Sequence, residues 1–380
     1  MRIQAIRTHL LVAPIAEPFA FSQRWVHERV ALVVEVVGED GMVGWGECYG
    51  PPRLLQPIIE RFYAPLLVGA DALAGAAHWE RLYNELRDHG QRGLVVQALS
   101  GLDIALWDLR GKVAGLPIHR LLGGPLRPSV RAYATGLYRR TDDLERNRAL
   151  LIDEAEDYVA RGFTAMKLKV GFDVADDAAN TAAIRRAIGE EVALMVDANH
   201  GFDRLDALAL ARRIEPLDIG WFEEPVAPED VDGYRWLKRR TDIPLAGGEC
   251  SFTRFDFRRL IEADAFDVVQ PDTCAAGGLT ECLRIAALVN AAGRRYQPHV
   301  WGTSIAVATA LQLIACLPGA AEGLLANEPW LEFDRTPHPF RDAVVETPFA
   351  LENGRVAVPS RPGLGITVDR GALARFRCER

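Results

Sequence analysis

From Val130 onward the chain repeats one unit, a short β-rich run followed by an amphipathic helical pattern. The runs are RAYATG, AMKLKVG, ALMVDAN, GWFEEP, IPLAGGE, FDVVQPD and RYQPHVWG. Regular alternation of this kind implies parallel strands joined by helical crossovers. No Gly-x-Gly-x-x-Gly phosphate loop follows the first run, which favours a closed barrel over a dinucleotide-binding sheet.

The chain ahead of the repeat has a different pattern. Residues 2–12 and 29–46 read as strands, the second pair joined by a turn at Glu39, Asp40 and Gly41. Helical spacing follows at 54–67, 76–88 and 91–112, the last carrying Val95, Leu99, Leu102, Leu106 and Leu109. The expected layout is an α+β capping domain over 1–125, a barrel over 126–340, and a tail over 341–380 that returns, with hairpin-like character, to the capping domain.

Composition narrows the function. With 380 residues, 49% hydrophobic and 25% charged, the chain can bury the core of a barrel plus a smaller domain. A formal net charge of -8 argues against a nucleic-acid partner, which would need a basic face to displace counterions. The six cysteines are scattered without CxxC spacing, giving neither a zinc knuckle nor a disulfide framework, and predict reduced thiols in a cytoplasmic protein. The N-terminus lacks the pattern of an export signal and no later segment has the apolar length of a membrane span.

The ends of the β-rich runs carry the chemistry. Lys169, Asp197, Glu223, Glu249, Asp272 and His299 follow one another at intervals of 23 to 28 residues, the length of one strand-helix unit. In a barrel this spacing brings them to one rim from adjacent strands. An isolated acid at such a place more often caps the next helix, but three in register, Asp197, Glu223 and Glu249, form a hard oxygen set that suits Mg²⁺ better than zinc or copper. Lys167 and Lys169 flank Leu168, so pleating sends both to the barrel interior while Met166, Leu168 and Val170 face the helices. Two neighbouring ammonium groups beside a divalent cation should lower each other's pKa, toward the range of a general base. Asp272 is placed to orient and charge-stabilise the His299 imidazole.

These residues, with the strings GWGEC, LSGLDIALWDLRGK, KLKVG, VDANHG, WFEEP, AGGE, PHVWGT and PGLGI, resemble the mandelate-racemase subgroup of the enolase superfamily over nearly the whole chain. The muconate-lactonising subgroup is disfavoured, because it would have a lysine five residues before Gly277-Gly278, where this chain has Asp272. The resemblance implies a modified TIM barrel, (β/α)7β, under an α+β N-terminal cap. It implies Asp197, Glu223 and Glu249 as Mg²⁺ ligands, Lys169 as one base with Lys167 as its partner, and His299 with Asp272 as the second. It places Glu332 on the acid that hydrogen-bonds the enolate oxygen, and Asn199 and His200 beside the substrate's polyol. The superfamily's pairing of a Lys or His base with Mg²⁺ is a known pattern.

The implied reaction is removal of the proton α to a carboxylate in an acid sugar or its lactone, followed by β-elimination. Lactone ring opening is favoured over dehydration, and racemisation or a non-catalytic sugar-acid binding role are the alternatives. Specificity should reside in loops near 19–27 and 48–54, with Tyr49 and Trp301 as further substrate contacts. A homo-oligomer is expected, since capping loops in this family often approach a neighbouring subunit.

Overall fold

The computed structural model describes residues 1–319 and 327–378. Its N-terminal part is an antiparallel sheet in the order β1 (Ile3–Phe21), β2 (Arg24–Gly38), β3 (Val43–Cys48). One face of the sheet, with Leu10, Leu32, Val34 and Val36, packs on the helices Gly75–Glu85 and Leu94–Ala114. The long helix lies so close to β3 that a Cβ at Gly44 or Gly46 would fall 2.1 Å from the carbonyl oxygen of Ala105 or Gly101. The small residues on either side of Trp45 are therefore a packing requirement.

The expectation of a short first strand and a loop at 19–27 is overturned. β1 runs on to Phe21, turns at Ser22 and Gln23, and returns as β2, with Phe19 opposite Val26 and Phe21 opposite Arg24. Pro14 and Pro18 interrupt the alternation that would have announced this. They are tolerated because β1 is an edge strand, and a register shift between Pro14 and Phe19 absorbs the irregularity. The outcome is a hairpin whose tip reaches the barrel, where Ala20 and Arg139 exchange backbone hydrogen bonds of 2.7 and 3.1 Å.

The barrel strands are β4 (Ser129–Thr135), β5 (Ala165–Lys169), β6 (Ala193–Asp197), β7 (Ile219–Glu223), β8 (Leu245–Gly247), β9 (Val268–Val269) and β10 (Arg295–Tyr296), paired in parallel in that order. An eighth, β11 (Leu331–Asp334), pairs in parallel with β4 and brings the end of the series back beside its start. Tyr133, Ala165, Met195, Trp221, Ala246 and Val268, one from each of β4 to β9, fill the interior as an apolar layer. Met166, Leu168, Leu194 and Val196 point outward and join the core beneath the helices.

The tail meets both the barrel and the cap. Its hairpin, β12 (Leu351–Glu352) and β13 (Arg355–Ala357), does not join the cap. β13 pairs antiparallel with Ser129–Arg131, on the same strand that takes β11 further along. Beyond the hairpin the tail meets the cap, where the Leu364 amide bonds Asp108 Oδ1 at 2.7 Å, Arg370 Nη2 bonds Glu35 Oε1 at 2.7 Å and the Cys378 amide bonds the Leu10 carbonyl at 2.8 Å. Among the described residues no helix is long and apolar enough to cross a membrane.

Buried contacts dock the cap on the barrel. Trp79 Nε1 donates to the Gly277 carbonyl at 2.8 Å. Glu47, at the end of β3, accepts from Thr303 N at 2.9 Å and Thr303 Oγ1 at 2.6 Å, capping the helix Ser304–Ile314 from the other domain. Arg29 of β2 places Nη2 2.7 Å from Asp334 Oδ2 of β11. Breaking a buried ion pair by removing one partner typically costs about 3–5 kcal/mol. Arg341, 3.1 Å from the same Asp334 oxygen, remains to compensate. Arg29→Met is therefore expected to cost about 2–3 kcal/mol, seen as a lower denaturant midpoint, and an unchanged midpoint would show that this pair does not hold the cap.

Candidate active site

Above the apolar layer the inward positions turn polar. Lys167 is fully buried, with Nζ 2.6 Å from Glu223 Oε1, 2.9 Å from Glu332 Oε1 and 3.5 Å from Asp197 Oδ2. Lys169 donates to Asp197 Oδ2 at 2.5 Å and to Asn199 Oδ1 at 2.9 Å. Glu223 Oε2 accepts from Trp221 Nε1 at 2.9 Å and Gln270 Nε2 at 2.7 Å. Both its oxygens are thus hydrogen-bonded.

The strands fix this arrangement by register. Lys169 lies opposite Asp197, and Asp197 opposite Glu223, so an inward position on one strand meets an inward position on the next. Ligand oxygens of Asp197, Glu223 and Glu249 all lie within 4.8 Å of one another.

The electrostatics are those of crowded negative charge. Burial pushes the Glu223 carboxyl upward, and Asp197, Glu332 and Glu249 reinforce this against the pull of Lys167. Burial also opposes ionisation of Asp197, but Lys169 and Lys167 hold it well below the usual carboxylate range. An oxygen-only donor set with more negative charge than two lysines comfortably balance fits a hard divalent cation such as Mg²⁺. The lysines themselves depart from expectation. Burial disfavours their charge, but carboxylates outweigh it, chiefly Glu223 and Glu332 for Lys167 and Asp197 for Lys169, and both are held above the ordinary value. The expected lowering presumed a neighbouring cation, and in the chain alone the carboxylates dominate.

His299 and Asp272 meet through a parallel bridge between the segments that follow β10 and β9, with Nδ1 2.6 Å from Asp272 Oδ2. The Cys274 amide donates to the other Asp272 oxygen at 2.6 Å. His299 Nε2 lies 3.5 Å from Glu249 Oε2. Burial lowers the imidazole pKa, but Glu249 and Asp272 overcome it and raise it to about 10. Glu332 accepts from Thr135 Oγ1 at 2.5 Å and the Val300 amide at 2.9 Å. Burial works against its charge, yet Lys167 and His299 hold it below the usual range. It is thus an acceptor here, and the expected donation to an enolate oxygen requires it first to gain a proton.

Lys169, Glu249, His299 and Glu332 open on one cavity of about 350 Å³. The four expected substrate contacts, Tyr49, Asn199, His200 and Trp301, line it too. The Tyr49 ring lies 5.0 Å from the His299 ring. Trp301, with Arg29 stacked 4.2 Å from its ring, has a buried indole N–H without a partner among the described residues. Asn199 and His200 adopt φ of 42° and 56°, unusual for non-glycine residues. Ser22 Oγ and Gln23 Nε2 both donate to the Asn199 carbonyl, at 3.0 and 2.7 Å, so the hairpin tip helps hold this backbone.

Sequence reading missed several neighbours. Phe21, Gln23 and Arg24 line the cavity from the hairpin tip, and Tyr138 and Cys250 complete the wall. The tip lay in a segment marked for specificity, although its residues were not singled out. Glu224 and Cys250 stood in view as the residues after two expected ligands. Nothing in the pattern around Tyr138 pointed to it.

Residues 4–123 match the mandelate racemase / muconate lactonizing enzyme N-terminal domain, and residues 150–372 the enolase C-terminal domain-like family. The chain belongs to the mandelate racemase / muconate lactonizing enzyme family of the enolase superfamily. It is 44% identical over 380 residues, 99% of either chain, to the D-galactarolactone cycloisomerase of Agrobacterium fabrum. The crystal structure of the 3,6-anhydro-D-galactonate cycloisomerase from Zobellia galactanivorans superposes with a TM-score of 0.91 at 39% identity, covering 100% of both chains. That of the L-talarate/galactarate dehydratase of Salmonella typhimurium, of which a mutant was solved with Mg and L-glucarate, gives a TM-score of 0.87 at 30% identity, covering 99% of this chain and 92% of the other.

The raised His299 pKa has a defined sign. Relative to an ordinary histidine, the folded state holds this proton more tightly, so the pair adds stability below the unfolded value of about 6.5 that disappears as pH rises through about 10. In metal-free protein the His299 imidazole resonances, assigned by their loss in His299→Asn, should stay those of the cation through pH 8. Titration near 6.5 would show that the carboxylates do not govern it.

Proposed function

We propose that this protein opens the ring of an aldarolactone, a galactarolactone first among candidates, by abstracting the proton α to the free carboxylate and expelling the ring oxygen. The observation that carries the reading is that Lys169 and His299–Asp272 face one cavity beside three clustered carboxylates. The 44% identity to D-galactarolactone cycloisomerase along 99% of the chain supports the choice of substrate.

In this reading Asp197, Glu223 and Glu249 hold Mg²⁺. When bound, Mg²⁺ polarises the substrate carboxylate and offsets the acidic charge that otherwise keeps Lys169 protonated. Lys169 or His299 takes the α-proton, Lys167 holds Glu223 and Glu332 in place, and Asp272 fixes the His299 tautomer through Nδ1. Asn199, His200, Tyr49 and Trp301 orient the hydroxyls, the Trp301 N–H being a donor still in need of an acceptor.

The elimination balances without an external reagent. The C–H bond breaks to a base, the carbon–oxygen bond to the ring breaks, and the released group is a carboxylate, stable at neutral pH. The enol then takes up a proton to become a linear 3-deoxy-2-keto diacid. Dehydration of an open-chain acid shares the first step but expels hydroxide, which a general acid must protonate. The same reading extends to a cytoplasmic homo-oligomer; the six cysteines stand as free thiols, as a reducing compartment would keep them.

Mass spectrometry on lactone and open-chain acid, supplied separately, tests the choice. A linear product of unchanged mass from the lactone is expected. A product lighter by one water from the acid, with the lactone untouched, would make the protein a dehydratase. Lys169→Ala and His299→Asn are each expected to lower turnover by at least about 100-fold, the usual scale of a general acid or base. Glu223→Gln should abolish turnover with the fold intact by circular dichroism, and full activity after exhaustive chelation would overturn the metal assignment.

A further inference from the structure

The strands that supply the three acids carry a second set of donors a short step further along. His200 follows Asp197 by three residues, Glu224 follows Glu223 directly, and Cys250 follows Glu249 directly. One ligand atom of each of His200, Glu224 and Cys250 lies within 4.8 Å of the others.

Two features distinguish this group from an ordinary polar cluster. His200 Nδ1 and Glu224 Oε2 stand 2.9 Å apart as a buried ion pair, and among the described residues neither atom has a further hydrogen-bond partner. The Glu224 side chain is only 2% exposed, so that oxygen relies on His200 alone for compensation. The backbone is also held in an unfavourable form to present the pair, since His200 and Glu224 have φ of 56° and 42°, and the His200 amide bonds the Glu224 carbonyl at 2.8 Å. Cys250 is the exposed one of the six cysteines and lines the cavity, so an ion can reach it from solvent.

We propose that His200, Glu224 and Cys250 form a second metal site, beyond the three acids and different from them in kind, which takes a borderline divalent cation such as Zn²⁺. One nitrogen, one carboxylate oxygen and one thiolate sulfur match the tetrahedral preference of zinc with one position left for water, and Mg²⁺ has little affinity for sulfur or imidazole. On binding, the Zn–S bond forms, the thiol proton passes to solvent, and no oxidation state changes. His200 and Cys250 both line the substrate cavity, so an ion here narrows it. Zinc is then an inhibitor that competes with substrate and leaves the three-acid site alone.

The test uses the full-length protein kept in excess Mg²⁺ so that the three acids are saturated. Co²⁺ is titrated in as a spectroscopic stand-in for zinc. One equivalent should raise a near-ultraviolet thiolate-to-cobalt charge-transfer band, which Zn²⁺ then bleaches and Cys250→Ser lacks. In Glu224→Gln the band should survive with affinity weakened about 10-fold or more, since even outer-shell partners of a metal are worth about 10–100-fold. Zinc inhibition, expressed against each variant's own uninhibited rate, should be relieved by about the same factor in Cys250→Ser. A cobalt spectrum without thiolate character, or a thiolate band unchanged in Cys250→Ser, would overturn the site. The cobalt spectrum needs no turnover, so its outcome is independent of the lactone assay.

Discussion

The barrel interior carries ionised side chains where solvent cannot reach, and the surrounding structure serves to pair them. Lys167, Asp197, Glu223 and Glu332 are each at most 1% exposed. Isolated, any one of them would cost several kcal/mol in such a setting. Strand register pairs them instead; Trp221, Gln270 and the Val300 amide occupy the oxygens that Lys167 leaves open, and Thr135 shares Glu332 Oε1 with it. A cavity whose floor is this over-determined cannot rearrange freely, which is the rigidity that proton transfer to a fixed carbon requires.

The cap and the barrel share responsibility for the cavity walls. Glu47 and Tyr49, two residues apart on and just after β3, grip the segment that carries His299 and Trp301 from opposite ends, one by capping the next helix and one by ring contact. Arg29 sits between Asp334 and the Trp301 ring, so a single guanidinium links strand β11 to the cavity lining. Both domains thus line one cavity and are mechanically joined there.

Much of this was legible in the sequence, for identifiable reasons. The inward-facing chemistry was readable because strand pleating and the length of a strand-helix unit leave little freedom: once Lys167 and Lys169 are placed on one side of β5, the acids of the next strands follow. The hairpin tip was not readable, because Pro14 and Pro18 mask an edge strand that tolerates them. The attachment of the β12–β13 hairpin to β4 was equally hidden, since a short antiparallel pair carries no mark of which edge it will cover. The direction of the lysine pKa shifts depends on the balance of three or more charges at once, and spacing alone does not give that sum.

Strand β4 also bears on how the chain is made. It takes β5 along one edge, and β11 and β13 along the other, so the first barrel strand to be synthesised waits for partners that are among the last. Lys167, with its neighbour Thr135, emerges from the ribosome long before Glu332, which accepts from both. During elongation the half-built barrel therefore holds a lysine lacking one of its counter-charges and a strand with an open edge, both liabilities for a nascent chain. The cap, whose three strands and long helix lie within the first third of the sequence, can form early, but the catalytic floor becomes electrically complete only near the end of translation. A premature stop before β11 would leave β4 with an open edge and Lys167 without Glu332, which makes the fragment prone to aggregate rather than merely weaker as an enzyme.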